Sequence, residues 1–147
     1  MNTEADNLAA WRALEIPMAR HLGIDIAGMV DGRAELRYAP LPEHLNSFGV
    51  NHGGAVMTLL DITLAAAARS VQMDMGVVTV EMKTSFMQPA RGPMVARSRL
   101  MHRTRSMAFV EGTVEDGDGR VCAHATGTFK YVPRPAGAGG QAPLPTD

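Results

Sequence analysis

A single carboxylate stands inside the most apolar stretch of the chain. From Gly53 to Ala68 the only charged residue is Asp61, and the stretch opens with two glycines. A helix that begins Gly-Gly presents unpaired N–H groups and the positive end of its dipole, with no Cβ to hinder a ligand. Gly53 and Gly54 are therefore candidate donors to a developing oxyanion, and Asp61 is a candidate catalytic carboxylate.

Each of these residues also has an ordinary structural interpretation. Asn46 or Asn51 could cap a helix or form a turn, and His52 could be a hydrogen-bonded loop residue. The two glycines could provide only a tight entry into a helix. Asp61 is harder to explain in this way, because an unpaired buried carboxylate is costly and must be protonated or find donors.

The spacing between the glycines and the carboxylate predicts a shared site. Asp61 follows Gly53 by eight residues, which separates their Cα atoms by about 12 Å along a helix axis. The two residues therefore cannot act on one carbonyl within a chain. Two helices packed antiparallel about a two-fold axis near Met57 would bring Asp61 of one protomer to Gly53 of the other. The sequence thus predicts a homodimer with two identical sites.

Attack of water on a thioester suits an oxyanion donor and a carboxylate that have neither a Ser-His-Asp triad nor a metal-ligand cluster beside them. The thiolate leaving group needs little protonation, so one carboxylate suffices. A pocket between the helices and the partner's strands is expected to hold the acyl group. Its predicted lining is Met57, Leu60, Leu64 and Val80.

The elements that position these residues follow from the hydrophobic pattern. Residues 24–38 alternate around an Asp31-Gly32 turn and predict a hairpin. Residues 53–70 predict one long helix that is apolar all round and buried. Strands are predicted within 77–89, 94–103, 106–116 and 120–132, which gives an α+β fold with one helix packed on an antiparallel sheet.

Alternation in the first of these four strands separates its side chains into two faces. Val78, Val80, Met82 and Phe86 are predicted on one face, and Thr79 on the other. The chain is expected to comprise an N-terminal segment over 1–16 with a short helix over 7–15, one domain over 17–132, and a disordered Pro/Gly/Ala-rich tail over 133–147.

Composition excludes several classes of function. A net charge of -1 gives no electrostatic reason to expect nucleic acid or an anionic membrane as a partner. No apolar run is long enough to span a bilayer. The only cysteine, Cys122, cannot form an intramolecular disulfide, so a reducing, cytoplasmic setting is expected.

Three segments of the sequence resemble the PaaI-type hotdog-fold acyl-CoA thioesterases, over roughly residues 17–132. The segments are NSFGVNHGGAVMTLLDITLAAAA, VVTVEMKTSFMQPARG and HRTRSMAFVEGTVEDGDGRVCAHATGTFKYV. The most specific feature is HGG followed by an acid nine residues after the histidine. The resemblance implies a long helix wrapped by a curved antiparallel sheet, a homodimer joined along the long strand, and often a dimer of dimers. It implies an acyl-CoA substrate and no cofactor besides the CoA of that substrate.

The resemblance also implies a role for each matching residue. Asp61 takes the place of the catalytic carboxylate, acting as general base or as nucleophile, and Gly53 N–H polarises the thioester carbonyl. His52 supports that loop and substrate positioning, Asn46 orients the thioester or the water, and Thr79 helps to place the water. The CoA arm is expected to run past Arg91, Arg103, Arg105 and Ser106.

The acid at position 61 differs from the acid of some members of this family. Some hotdog thioesterases carry Glu at the position of Asp61, and the shorter arm of Asp shifts the carboxylate by about one bond, so their mechanisms do not transfer.

A hotdog domain that binds acyl-CoA without hydrolysing it, as a sensor or carrier, is the rival interpretation. A regulator of that kind would normally carry an attached DNA-binding helix pair, and the segment before Pro17 is too short for one.

Overall fold

A single antiparallel sheet curves around one long helix in the computed structural model, which describes residues 2–134. The helices are α1 (Glu4–Ala13), α2 (Pro17–Leu22) and α3 (Gly53–Arg69), and the strands are β1 (Asp25–Val30), β2 (Arg33–Tyr38), β3 (Met75–Phe86), β4 (Met94–Arg103), β5 (Met107–Glu115) and β6 (Val121–Pro133). The strand order is β1-β2-β4-β5-β6-β3. This confirms the predicted α+β hotdog arrangement. Most of the predicted tail, residues 135–147, lies outside the described residues.

Helix α3 packs closely on the sheet because two strand residues opposite it lack side chains. Leu59, Leu60 and Leu64 are all 0% exposed. A Cβ on Gly112 of β5 would lie 3.0 Å from a Leu64 methyl, and a Cβ on Gly127 of β6 would lie 3.1 Å from the other. The two glycines therefore set the distance between helix and sheet. None of the helices in residues 2–134 has the length and apolar composition needed to cross a membrane.

One face of α3 is not covered by its own sheet, which corrects the prediction that the helix is buried all round. Besides Gly53 and Ala55 in the first turn, the residues of α3 that are not fully buried are Gly54, Met57, Thr58, Asp61 and Ala65. This spacing of three or four residues places them on one side of a helix. We call this set the open stripe of α3. Asp61 is thus partly exposed in a single protomer rather than buried among apolar side chains.

A β-bulge in β3 changes which residues face α3. Thr79 pairs with Phe129 of β6, and the next pair is Glu81 with Thr128, so Val80 is an extra residue. A residue added to one strand reverses the alternation that follows it. Thr79 therefore lies on the same inward face as Met82 and Phe86. The predicted separation of Thr79 from Met82 and Phe86 is wrong for this reason.

Helix α1 closes the outer edge of β1 with its side chains. It begins at Glu4, three residues before the predicted start at Asn7. Glu4 Oε1 accepts from Met29 N–H at 3.2 Å, and Asn7 Nδ2 donates to Met29 O at 3.1 Å. Arg12 donates to Ile26 O at 3.2 Å. At the opposite edge of the sheet, β3 pairs only with β6 in the described part of the chain.

Candidate active site

A hydrogen bond between β3 and α3 joins two of the predicted catalytic residues. Thr79 Oγ1 donates to Asp61 Oδ1 at 2.7 Å. The bond is possible because the bulge at Val80 leaves Thr79 on the inward face, and because Asp61 lies on the open stripe. The carboxylate is thereby held in one orientation while its second oxygen stays free to meet water.

Asn46 uses its side-chain oxygen to shape the loop before α3. Its Oδ1 accepts from Phe48 N–H at 2.9 Å and from Val50 N–H at 3.2 Å. Its backbone N–H donates to Val50 O at 2.8 Å, and Gly49 takes a φ of 72° in the resulting turn. Only the Nδ2 amide is left to contact a ligand, so the predicted orienting role of Asn46 falls to that group.

The ring of His52 is the N-cap of α3. Its Nδ1 accepts from Gly54 N–H at 2.8 Å, so this nitrogen carries no proton. The interaction removes Gly54 from the predicted oxyanion donors, because its N–H is already bonded. Gly53 N–H bonds to no other described residue. Of the two glycines proposed from the sequence, the structure leaves Gly53 as the available donor.

A cavity of about 590 Å³ opens beside Gly53. It lies between the start of α3, the loop before it and the segment that follows β3. The Phe86 ring lies 3.4 Å from the position that a Cβ on Gly53 would occupy. The lining is mostly apolar and includes Phe48, Val50, Val56, Met87, Pro89, Ala90 and Ala123, with Asn46, Asn51, Gln88 and Arg91 as polar members. Such a cavity has the size and composition of a small-molecule site.

Cys122 also lines this cavity but does not have the properties of a nucleophile. It is 1% exposed, and burial raises the pKa of its thiol. A reactive cysteine needs the thiolate at neutral pH. The cavity therefore contains no activated thiol, and covalent catalysis through Cys122 is not supported.

The cavity and the carboxylate occupy different parts of one protomer. Asp61 does not line the cavity, and it lies about 12 Å further along α3 than Gly53. Met57, 37% exposed, lies midway between them on the open stripe. A single protomer therefore presents two separate halves of the predicted site.

The predicted CoA-binding residues are also divided between two ends of the fold. Arg91 lines the cavity beside Gly53. Arg103 donates to Val71 O at 3.4 Å and to Gln72 Oε1 at 3.1 Å, just beyond the other end of α3. Arg105 and Ser106 lie in the hairpin that follows Arg103. Because α3 is about 25 Å long, these groups cannot meet one part of a ligand within a protomer.

The predicted pocket residues need a correction at the helix. Leu60 and Leu64 are fully buried in the protomer's own core, so neither is available to a substrate. The apolar run of α3 did not reveal which side faced the sheet. Val80 is 55% exposed as the bulged residue of β3. Met57 is the helix residue of this set that lies at the surface.

Two residues that contribute to the cavity had no functional role in the sequence interpretation. The alternating pattern identifies Phe86 only as a strand residue, although its ring covers Gly53. Asn51 suits a helix cap or a turn by its residue type, but it is 4% exposed and its Nδ2 donates to Gly92 O at 3.1 Å. Both contacts join segments more than thirty residues apart, so no local pattern could have indicated them.

Comparisons with known proteins identify one family. Residues 48–123 match the family model of the Thioesterase superfamily. The Saccharolobus solfataricus protein named "Putative esterase SSO2140" is 31% identical over 116 residues, which are 78% of this chain and 82% of that protein. The solved structure of a thioesterase family protein from Silicibacter pomeroyi is 27% identical, with a TM-score of 0.81 over 88% of this chain and 98% of that one. The E. coli PaaI protein from the phenylacetic acid degradation operon shares the fold, at 21% identity and a TM-score of 0.77 over 90% of this chain and 96% of that one.

Proposed function

Because the chain belongs to the Thioesterase superfamily, we propose that it hydrolyses acyl-CoA thioesters to a free acid and CoA. The observation that carries this proposal is the 2.7 Å hydrogen bond from Thr79 to Asp61 on the open stripe of α3. It prepares a carboxylate on the one helix face that the protomer's own sheet leaves uncovered. The unbonded Gly53 N–H supplies the complementary group.

The proposed enzyme is a homodimer whose two sites each draw on both protomers. The free edge of β3 offers a row of backbone groups for pairing with a second copy. Antiparallel packing of two open stripes about an axis near Met57 brings Asp61 of one protomer to Gly53 of the other. Further association into a dimer of dimers, implied by the resemblance, stays a prediction.

In the proposed reaction, the thioester oxygen accepts a hydrogen bond from Gly53 N–H. A water molecule donates to the second carboxylate oxygen of Asp61, the one that Thr79 leaves free. Asp61 takes a proton as the water oxygen attacks the carbonyl carbon, and the negative charge that develops on the carbonyl oxygen is stabilised by Gly53 N–H and the helix dipole. The C–S bond then breaks, CoA leaves as the thiolate and is protonated, and no cofactor is required.

Asp61 has a second possible role, as nucleophile. Its free oxygen would attack the carbonyl carbon and release CoA thiolate, leaving a mixed anhydride that water then hydrolyses. Both routes need the same Gly53 donor. His52 contributes to both by capping the first turn of α3, and the Asn46 Nδ2 amide can donate to the thioester or the water.

The arrangement also gives the CoA arm a path. In an antiparallel dimer, the β4–β5 hairpin of one protomer lies towards the amino end of α3 in the other. One CoA molecule would then lie between Arg91 of one chain and the residues Arg103, Arg105 and Ser106 of the other. Within a single chain, Arg91 is far from those three residues. Guanidinium groups suit its phosphates.

A panel of acyl-CoAs with a thiol-reactive dye tests the proposal. The wild-type protein should release thiol from at least one member. Asp61→Asn should lower the rate by about a hundredfold or more, as expected for loss of an acid–base group, while the exposed Asp25→Asn in β1 serves as a matched control with wild-type activity. Undiminished hydrolysis by Asp61→Asn would refute the role of Asp61. Binding of acyl-CoA without thiol release would instead favour the sensor or carrier.

A further inference from the structure

Tyr38 and His44 form a close pair beside the loop that leads into α3. Tyr38 ends β2 and is 2% exposed, and its hydroxyl lies 2.6 Å from His44 Nδ1. The two rings stack with their centroids 5.7 Å apart and their planes at 24°. The 3₁₀ turn Pro42–His44 is therefore attached to the last residue of a core strand.

The position of the proton on His44 follows from a second contact. Leu41 N–H donates to the same Nδ1 at 3.1 Å. A backbone N–H can only donate, so Nδ1 is an acceptor and carries no proton. The Tyr38 hydroxyl must then donate to it as well. Burial raises the pKa of Tyr38 above its usual value, which keeps the proton on this hydroxyl.

A short chain of hydrogen bonds connects this pair to the start of α3. His44 O accepts from His52 N–H at 2.9 Å, and His52 Nδ1 accepts from Gly54 N–H at 2.8 Å. The loop between them is closed by one isolated bridge, from Leu45 to Asn51. Because such a short two-stranded pairing is marginal by itself, contacts outside it hold the loop: the Tyr38–His44 pair at one end, and Asn51 N–H, which donates to Ala90 O at 2.9 Å, at the other.

The structure assigns Tyr38 and His44 the role of a positioning pair, which holds Gly53 N–H and the Asn46 amide in place for thioester hydrolysis. This inference rests on the proposed function. Neither ring lines the cavity beside Gly53, so neither contacts a substrate there. Loss of the pair should therefore impair the reaction step more than substrate binding.

Tyr38→Phe removes the hydroxyl and keeps the ring. Small displacements of reacting groups are costly, so kcat should fall by about tenfold or more. KM should change by less than about twofold, as expected when uniform binding is intact. Tyr131→Phe is a matched control, because this tyrosine is 4% exposed and its hydroxyl donates to Ala68 O at 2.7 Å, near the other end of α3. It should retain the wild-type kcat.

Variants of His44 test whether the acceptor is what matters. In His44→Asn the side-chain oxygen can replace Nδ1 as acceptor, whereas His44→Leu provides none. His44→Asn should recover more of kcat than His44→Leu. The double variant Tyr38→Phe with His44→Leu should be no slower than His44→Leu alone, because both changes remove one interaction. Additive losses would overturn the pairing.

Amide hydrogen exchange measures the positioning without using activity. Exchange at 52–54 should be faster in Tyr38→Phe than in Tyr131→Phe. If the wild type hydrolyses an acyl-CoA and Tyr38→Phe matches Tyr131→Phe in kcat, the positioning role is overturned and the proposed function stands. If the wild type hydrolyses none, the proposed function fails, and exchange alone decides: faster exchange supports the anchor, and unchanged exchange overturns it.

Discussion

Thr79 reaches Asp61 because one residue, Val80, is added to β3 between the pairs that Thr79 and Glu81 form with β6. The bulge turns a threonine that simple alternation would place on the outer face of the sheet towards the helix. Bulges often re-aim side chains next to active sites. Here the result is a hydroxyl that orients a carboxylate.

Thr79→Val keeps the shape of the side chain and removes its hydroxyl. A hydrogen bond to a charged group contributes about 1.5–3 kcal/mol, so we expect kcat to fall by about tenfold to a hundredfold. Thr79→Ser, which keeps the donor, should retain most activity. Steady-state kinetics on the best acyl-CoA of the panel measure both variants. Equal rates for Thr79→Val and the wild type would show that this hydrogen bond does not assist the reaction.

Gly53→Ala tests the approach of the thioester to the helix. The added Cβ would lie 3.4 Å from the Phe86 ring, so we expect a stable fold with a methyl group beside the available N–H. The kcat/KM should fall by about tenfold or more, because the carbonyl oxygen is displaced from its donor. Gly117→Ala is the matched control, since a Cβ there meets nothing within 4 Å. Thermal unfolding should be near wild type in both variants, and full activity in Gly53→Ala would contradict the role of this N–H.

Mixing two impaired variants tests whether the sites are shared. A heterodimer of Asp61→Asn and Gly53→Ala contains one site with both wild-type residues and one site with both changes. If the variants are unfolded and refolded together, random pairing should restore about a quarter of wild-type activity. The measurement is thiol release after co-refolding, with separately refolded chains as controls. A tag on one chain detects the heterodimers. If heterodimers form and activity does not recover, Asp61 and Gly53 act within one protomer.

Asp116 should make stability depend on acid pH. Its Oδ1 accepts from Arg120 N–H at 3.0 Å and from Asp118 N–H at 2.9 Å, and its Oδ2 accepts from Arg120 Nε at 3.0 Å. The backbone bond from Arg120, with these others, holds the pKa of the carboxyl below its usual value. The folded protein therefore binds this proton less readily than the unfolded chain. The stabilisation is complete above the unfolded pKa, near 4, and is lost as the pH falls through the lower folded value.

Urea unfolding at a series of pH values checks this prediction. The free energy of unfolding of the wild type should fall more steeply below about pH 4 than that of Asp116→Asn, which has no carboxyl to protonate. At neutral pH, Asp116→Asn should be the less stable of the two proteins. Parallel pH dependence of the two free energies would mean that Asp116 binds its proton equally well in the folded and unfolded states.

The helix and the strands were predictable because their signals are local. Gly53 begins α3 as predicted, since the run of apolar residues after two glycines is too long for a strand. The hairpin around Asp31 also follows from its turn, where Asp31 and Gly32 both take positive φ. The same pattern identified Asp61 as the exceptional residue, although not the face on which it lies.

Features that depend on distant partners could not be predicted. The bulge at Val80 is set by pairing with β6, more than forty residues later in the chain. Whether Gly54 N–H is hydrogen-bonded depends on the orientation of the His52 ring, which the sequence does not determine. The position of Arg103 at the far end of α3 follows from the strand order rather than from its neighbours in sequence.

Helix α1 covers the outer edge of β1 with its side chains. By bonding Met29 and Ile26, these side chains leave β3 as the open edge of the sheet that residues 2–134 form. A sheet with one open edge can pair with one further copy through that edge, so growth by edge pairing is expected to stop at two copies. A second open edge allows pairing with a further copy and permits linear polymers. A chain that lacks residues 2–15 should therefore sediment as a broad, concentration-dependent series of species, whereas the intact chain should give one closed assembly.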